Sequence, residues 1–166
     1  MDASRRRFLG GRAPAPAPFR PPWSASESLF LDRCTRCDDC LKVCPTSLLV
    51  RGSGDYPVAD FSAASCTFCG DCSRACTTGA IGRDVAQTPW SFGIAIGEGC
   101  LAAQNVECRV CGEICDVSAI RFRPRIGGVA LPDVDNTACN GCGACIPTCP
   151  VLAVQRVALN PESELP

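Results

Sequence analysis

Sixteen cysteines fall into four quartets, and no cysteine is left over. Cys34, Cys37, Cys40 and Cys44 are spaced C-x2-C-x2-C-x3-C. The same spacing recurs at Cys66, Cys69, Cys72 and Cys76, and again at Cys139, Cys142, Cys145 and Cys149. The remaining four, Cys100, Cys108, Cys111 and Cys115, keep the last two intervals but open the first to seven residues, Leu101 to Glu107. Each quartet runs into an apolar tail: Pro45 to Val50, Thr77 to Ile81, Asp116 to Ile120 and Pro150 to Val154. This is a fourfold internal repeat, in which each unit reads as a loop of cysteines, a short helix after the last cysteine and a short strand.

Three thiolates at i, i+3 and i+6 on an irregular loop can wrap three corners of an iron-sulfur cubane, while backbone N–H groups of the loop tune the sulfurs. Competing uses of the thiols fit poorly. Disulfides need an oxidising compartment and would be strained between cysteines three apart. Structural zinc uses two separated C-x2-C knuckles rather than four cysteines within eleven residues, and a redox dithiol needs one motif only. The absence of His removes His-based catalytic triads, Rieske centres and His-ligated haem. In two-cluster bacterial ferredoxins the fourth cysteine of such a run ligates the other cluster. That rule pairs Cys34, Cys37 and Cys40 with Cys76; Cys66, Cys69 and Cys72 with Cys44; Cys139, Cys142 and Cys145 with Cys115; and Cys100, Cys108 and Cys111 with Cys149. The expected cofactors are [4Fe-4S] clusters, up to four. At the stretched third quartet the insert changes the approach of Cys100, which leaves a labile cluster or none as the alternative there.

The apolar core is thin. Leu, Ile, Val and Phe make up only about a fifth of the chain, against 15 Gly and 14 Pro in 166 residues, so metal staples must help to hold the fold. The expected fold class is α+β and ferredoxin-like: two tandem bacterial-type 2[4Fe-4S] modules with short helices and strands around the clusters. The expected layout is a flexible basic Pro-rich arm at 1–27, a first module at 28–82, a connecting strand at 83–99, a second module at 100–158 and a tail at 159–166. The period-two alternation of Trp90, Phe92, Ile94 and Ile96 marks the connector as a half-buried strand that docks one module on the other. Tyr56-Pro57 and Arg121-Phe122-Arg123-Pro124 read as strand ends or turns, with the Arg pair on a solvated face.

Net charge is −1, and no field of one sign suggests a nucleic-acid partner. The first 20 residues nevertheless hold five Arg, so a cluster-loaded, anionic core faces a basic arm. No stretch approaches the ~20 apolar residues of a membrane span. Ser4-Arg5-Arg6-Arg7-Phe8-Leu9 resembles a twin-arginine export motif, but an Ala-Pro alternation follows where an apolar segment is normal, so the expectation is an uncleaved, extended arm. No side chain looks like an acid, base or nucleophile, and the expectation is that the chain is not an enzyme.

Taken together, Ser4-Arg5-Arg6, Arg20-Pro21-Pro22-Trp23-Ser24, Cys34-Thr35-Arg36-Cys37, Arg51 to Pro57, Cys100-Leu101-Ala102 with Val106-Glu107-Cys108-Arg109, Phe122-Arg123-Pro124 and Cys139 to Cys145 resemble the NapF-type ferredoxins of the periplasmic nitrate reductase system. The cluster runs alone indicate only a ferredoxin; the arm, the Arg-Pro-Pro-Trp-Ser stretch and the odd third quartet point to this family. The resemblance implies a cytoplasmic [4Fe-4S] protein that contacts the precursor of the nitrate reductase catalytic subunit before export and assists its maturation. Redox partner proteins are also implied, with a general electron carrier to a reductase as the alternative. Arg5, Arg6 and Trp23 are the expected partner contacts. Thr77, where Pro45 and Pro150 stand in other quartets, departs from the usual run.

Overall fold

The computed structural model describes residues 18–82, 89–90 and 92–159. Arg5 and Arg6, residues 83–88 and 91 of the connector expected at 83–99, and nearly all of the tail lie outside them. The elements follow the chain as α1 (Glu27–Arg33), α2 (Asp39–Lys42), β1 (Leu49–Arg51), a 3-10 turn (Ser53–Asp55), β2 (Pro57–Ala59), α3 (Asp71–Ala75), β3 (Phe92–Ile96), α4 (Val110–Glu113), β4 (Ile120–Arg125), β5 (Gly128–Val134), α5 (Cys145–Thr148) and β6 (Val154–Ala158). Helices of four or five residues do not persist alone in water, so α2 to α5 depend on their surroundings.

One local pattern is repeated four times. The short helix lies between the second and fourth cysteines and carries the third, which corrects the expectation of a helix after the last cysteine. Beyond the fourth cysteine the chain cannot continue as a helix, because three residues on it enters the left-handed region: Ser47 (φ 55°), Gly79 (φ 71°), Ser118 (φ 53°) and Leu152 (φ 51°). This turn sends the next two residues inward. Leu48 and Leu49, Ala80 and Ile81, Ala119 and Ile120, and Ala153 and Val154 are all 6% exposed or less.

The strands pair symmetrically in two modules. In the first, β1 and β2 form an antiparallel hairpin with Leu49 opposite Ala59. Its chain ends meet at a bridge between Ser24 and Ile81, extended by Ala25 N–H to Ala80 O (3.0 Å) and Gly82 N–H to Trp23 O (3.0 Å). In the second, β4 and β5 form the hairpin and β3 pairs with β6 over Phe92–Ala158 to Ile96–Val154. β3 is therefore the opening strand of the second module rather than a separate connector. Its position is fixed by Asn136, whose side-chain amide accepts from Ile94 N–H (2.9 Å) and donates to Ile94 O (3.2 Å). A Cβ on Gly93 would lie 2.5 Å from Asn136 Oδ1, so only glycine lets that amide approach.

Two further expectations are corrected. Residues 18–27 are not a free arm: Pro21 is fully buried, and Arg20 forms a fork with Glu27 (2.9 and 2.6 Å) while stacking on Phe30 (4.8 Å) and Tyr56 (5.3 Å). Arg121 to Pro124 lie inside β4, not at a strand end, and Pro124 sits where the register slips between Arg123 and Arg125, as a residue without an N–H must. Arg123 pairs across the hairpin with Asp133 at 2.6 Å on the solvent face.

The modules meet at an aromatic cluster. Phe61 lies 5.6 Å from Phe19, 5.3 Å from Trp90 and 5.7 Å from Phe92, mostly edge to face. Arg156 from β6 stacks on Phe19 (4.5 Å) and Phe61 (5.3 Å), and Trp90 Nε1 donates to Arg20 O at 3.0 Å.

Candidate metal centres

The sixteen thiols surround four cavities, four to each. Site A, about 390 Å3, is walled by Cys34, Cys37, Cys40 and Cys76. Site B, about 330 Å3, takes Cys44, Cys66, Cys69 and Cys72. Cys100, Cys108, Cys111 and Cys149 surround site C (about 330 Å3), and Cys115, Cys139, Cys142 and Cys145 surround site D (about 320 Å3). Three cysteines of each set come from one quartet and the fourth from its neighbour. None of the sixteen is disulfide-bonded. Among the described residues no three Cys, Asp or Glu converge closely enough to hold one metal ion. Four sulfurs spread around a cavity without converging on one point suit a polynuclear cluster rather than tetrahedral zinc.

The third cysteine of each run, on its short helix, is buried: Cys40, Cys72, Cys111 and Cys145 are all below 10% exposed, and in the stretched run Cys100 is buried as well. Burial, reinforced by Cys72, Cys34 and the other neighbouring cysteines, pushes the Cys40 thiol up to about 12, and burial likewise takes Cys145 to about 12. Cys72, Cys111 and Cys66 rise to about 11, again chiefly through burial. Thiols in this state are protonated at neutral pH, so binding iron must displace their protons. Cys37 and Cys69 reach the surface and give sites A and B an outer edge.

Backbone amides converge on the sulfurs. Ile81 N–H donates to Cys76 Sγ (3.4 Å), Ala119 N–H to Cys115 Sγ (3.3 Å) and Ala153 N–H to Cys149 Sγ (3.2 Å), each from the chain just past the left-handed turn. Phe68 N–H reaches Cys66 Sγ at 3.4 Å. At Cys76 burial acts to raise the thiol, but the donors from Ile81 and Thr78 outweigh it and hold it below its ordinary value. Thr46 and Thr78, two residues after Cys44 and Cys76, place hydroxyls 3.7 and 3.6 Å from those sulfurs. Spacing does not mark the amides; the Thr at this offset is a signal the sequence carries.

The regular runs share a loop conformation that the third lacks. Arg36, Phe68 and Gly141, two residues after the first cysteine, have φ of 59°, 54° and 74°, and Asp38, Gly70 and Gly143 after the second have 64°, 78° and 76°. At the equivalent point of the third run Arg109 has φ −131°. Its insert is nonetheless ordered: Ala102 is fully buried, and Asn105 Oδ1 accepts from Arg125 Nη2 (3.1 Å) and Val129 N–H (3.3 Å), tying the insert to the β4–β5 hairpin. Cys100 therefore reaches site C from a folded insert. Trp23, expected on a partner-binding surface, is buried in the wall of site B with its ring 6.4 Å from Phe68. Arg5 and Arg6 lie outside the described residues.

Residues 33–81 and 106–153 each match the family model of a 4Fe-4S dicluster domain, the second starting after Cys100. The chain is 44% identical over 161 residues to the ferredoxin-type protein NapF of Escherichia coli K12, covering 96% of this chain and 98% of that one. It is 52% identical over 137 residues to NapF of Haemophilus influenzae, covering 82% and 77%. It is 32% identical to the methylamine utilization ferredoxin-type protein MauM of Methylobacillus flagellatus, covering 90% and 71%. The cofactors are [4Fe-4S] clusters, up to four. No described helix is long and apolar enough to cross a membrane.

Proposed function

The chain belongs to the NapF family of ferredoxin-type proteins, and from that premise we propose that it is a cytoplasmic accessory protein for periplasmic nitrate reductase. It docks on the precursor of the catalytic subunit before export and assists its maturation by supplying electrons or cluster components. It is not itself an enzyme. The observation that carries this reading is similarity along nearly the whole of NapF, the odd third quartet included, rather than over the cluster runs alone.

In this reading each cavity seats one cluster on the four cysteines that wall it, and the loaded fold is an α+β pair of dicluster modules. A [4Fe-4S] cluster accepts and releases single electrons, with a potential set by hydrogen bonds to sulfur and by solvent access. The protein's part is to hold that geometry. The buried third cysteines anchor each group, the amides of Ile81, Ala119 and Ala153 offset negative charge on the fourth sulfurs, and the surface position of Cys37 and Cys69 shortens the path from a docked partner.

A second reading, a general carrier that relays electrons to a reductase, draws support from the contact between sites B and D, where Cys66 N–H donates to Cys142 O at 2.9 Å. The two readings separate on one measurement: anaerobic binding of the iron-loaded protein to the precursor and to the mature form of the catalytic subunit. Tighter binding to the precursor is expected. Equal or absent binding overturns maturation and leaves the carrier.

A further inference from the structure

The two modules touch through their cluster loops at one point. Cys66, a wall residue of site B, donates its N–H to the carbonyl of Cys142, a wall residue of site D, at 2.9 Å. Next to this bond the Phe61 ring abuts Gly143: a Cβ there would stand 2.1 Å from Phe61 Cδ1. Gly143 also needs its left-handed φ of 76° and is itself part of the wall of site D. Phe61 is 3% exposed and is held from behind by Phe19, Trp90, Phe92 and the Arg156 guanidinium. The junction is thus a packed contact beside a backbone hydrogen bond.

Within each module the sites are also neighbours. α2, which carries Cys40 of site A, packs on α3, which carries Cys72 of site B; α4, which carries Cys111 of site C, packs on α5, which carries Cys145 of site D. Each site is walled by its own module; Cys66 and Cys142, the residues of the junction bond, belong to B and D, and neither lines A or C.

We infer that the Cys66–Cys142 hydrogen bond, clamped by Phe61 on Gly143, joins the four sites into a single electron path in the order A, B, D, C. This inference rests on the cysteine sets proposed above. Each step moves one electron, oxidising one centre and reducing the next, with no bond made or broken. The electron comes from an external one-electron reductant, dithionite in the test that follows. Sites A and C are the two ends of this order, and exposed Cys37 and Cys69 let a docked partner reach the path at A or B.

The test uses the full chain in two double variants, loaded with iron without oxygen, reduced with dithionite and examined by electron paramagnetic resonance. Cys37→Ser with Cys108→Ser removes a ligand from A and from C and leaves B and D. Cys69→Ser with Cys139→Ser leaves A and C. Iron near eight atoms per chain, four per cluster, is expected for both. The B–D variant should show spectra split by interaction between two reduced centres, and the A–C variant two independent spectra. An unsplit B–D spectrum, or a split A–C spectrum, at full iron overturns the order. Iron well below eight overturns the cysteine sets instead, and the order with them. A third variant, Phe61→Ala in the otherwise native chain, retains its iron and should lose only the splitting that crosses the junction; unchanged spectra there overturn the role of the clamp.

Discussion

Leu152 holds a left-handed φ of 51° with 70% of its surface exposed, at the offset from its cysteine where the second quartet has Gly79. A branched residue in that region costs about 1–2 kcal/mol, and glycine avoids the cost at the expense of greater freedom in the unfolded chain. Leu152→Gly should therefore stabilise the loaded protein by about 0.5 kcal/mol, read as a raised guanidinium midpoint under anaerobic conditions. Gly79→Ala should lower it by about 1 kcal/mol. At Asp135 the carboxylate accepts from the Thr137 hydroxyl (2.5 Å) and from the Thr137 (3.0 Å) and Ala138 (3.3 Å) amides, with the Thr137 side chain the main cause of a lowered pKa. A group whose folded value is lowered stabilises above its unfolded value near 3.8 and loses that contribution as pH falls through the folded one. The denaturation midpoint of Asp135→Asn should accordingly fall less than that of the native chain between neutral pH and pH 3.

At the scale of elements, β3 illustrates what periodicity can and cannot tell. The alternation of Trp90, Phe92, Ile94 and Ile96 correctly marks a half-buried strand, yet nothing in it names the partner: Val154 to Ala158 lies some sixty residues on, and a long-range pairing leaves no local trace. Asn136, which substitutes a side-chain amide for a missing strand neighbour, is equally silent in sequence. Asn136→Ala leaves the N–H and C=O of Ile94 without those partners and should cost about 1–3 kcal/mol, with faster amide hydrogen exchange along β3 and β6 as the direct check. The helices lie before each fourth cysteine rather than after it, because the left-handed turn three residues beyond that cysteine ends any regular run, and only at Gly79 does a glycine announce it.

Across the whole molecule the cysteine spacing carried most of the architecture, because a ligand rule acts over long distances where hydrophobic patterning does not. Number and interval mark the four quartets, whereas the exchange of each fourth cysteine between neighbouring sites comes from the ligation rule of two-cluster ferredoxins and not from the intervals themselves. The packing of residues 18–27 and the burial of Trp23 were not legible, since a Pro-rich basic stretch has the composition of a solvated tail whether or not a core receives it. So little apolar surface is buried that removing iron with a chelator should unfold the chain rather than empty it, seen as loss of near-ultraviolet dichroism together with cluster absorbance. Cys100→Ser should lower iron by about a quarter and spare the other sites, provided the insert stays folded through Asn105. The pairing of first strand with last in each half has an evolutionary meaning. A segment whose beginning and end lie side by side can be copied and appended through a short linker without disturbing what it already holds. A chain with four redox centres can thus arise from one with two by a single tandem duplication, and the Cys66–Cys142 contact is what such a duplication had to add.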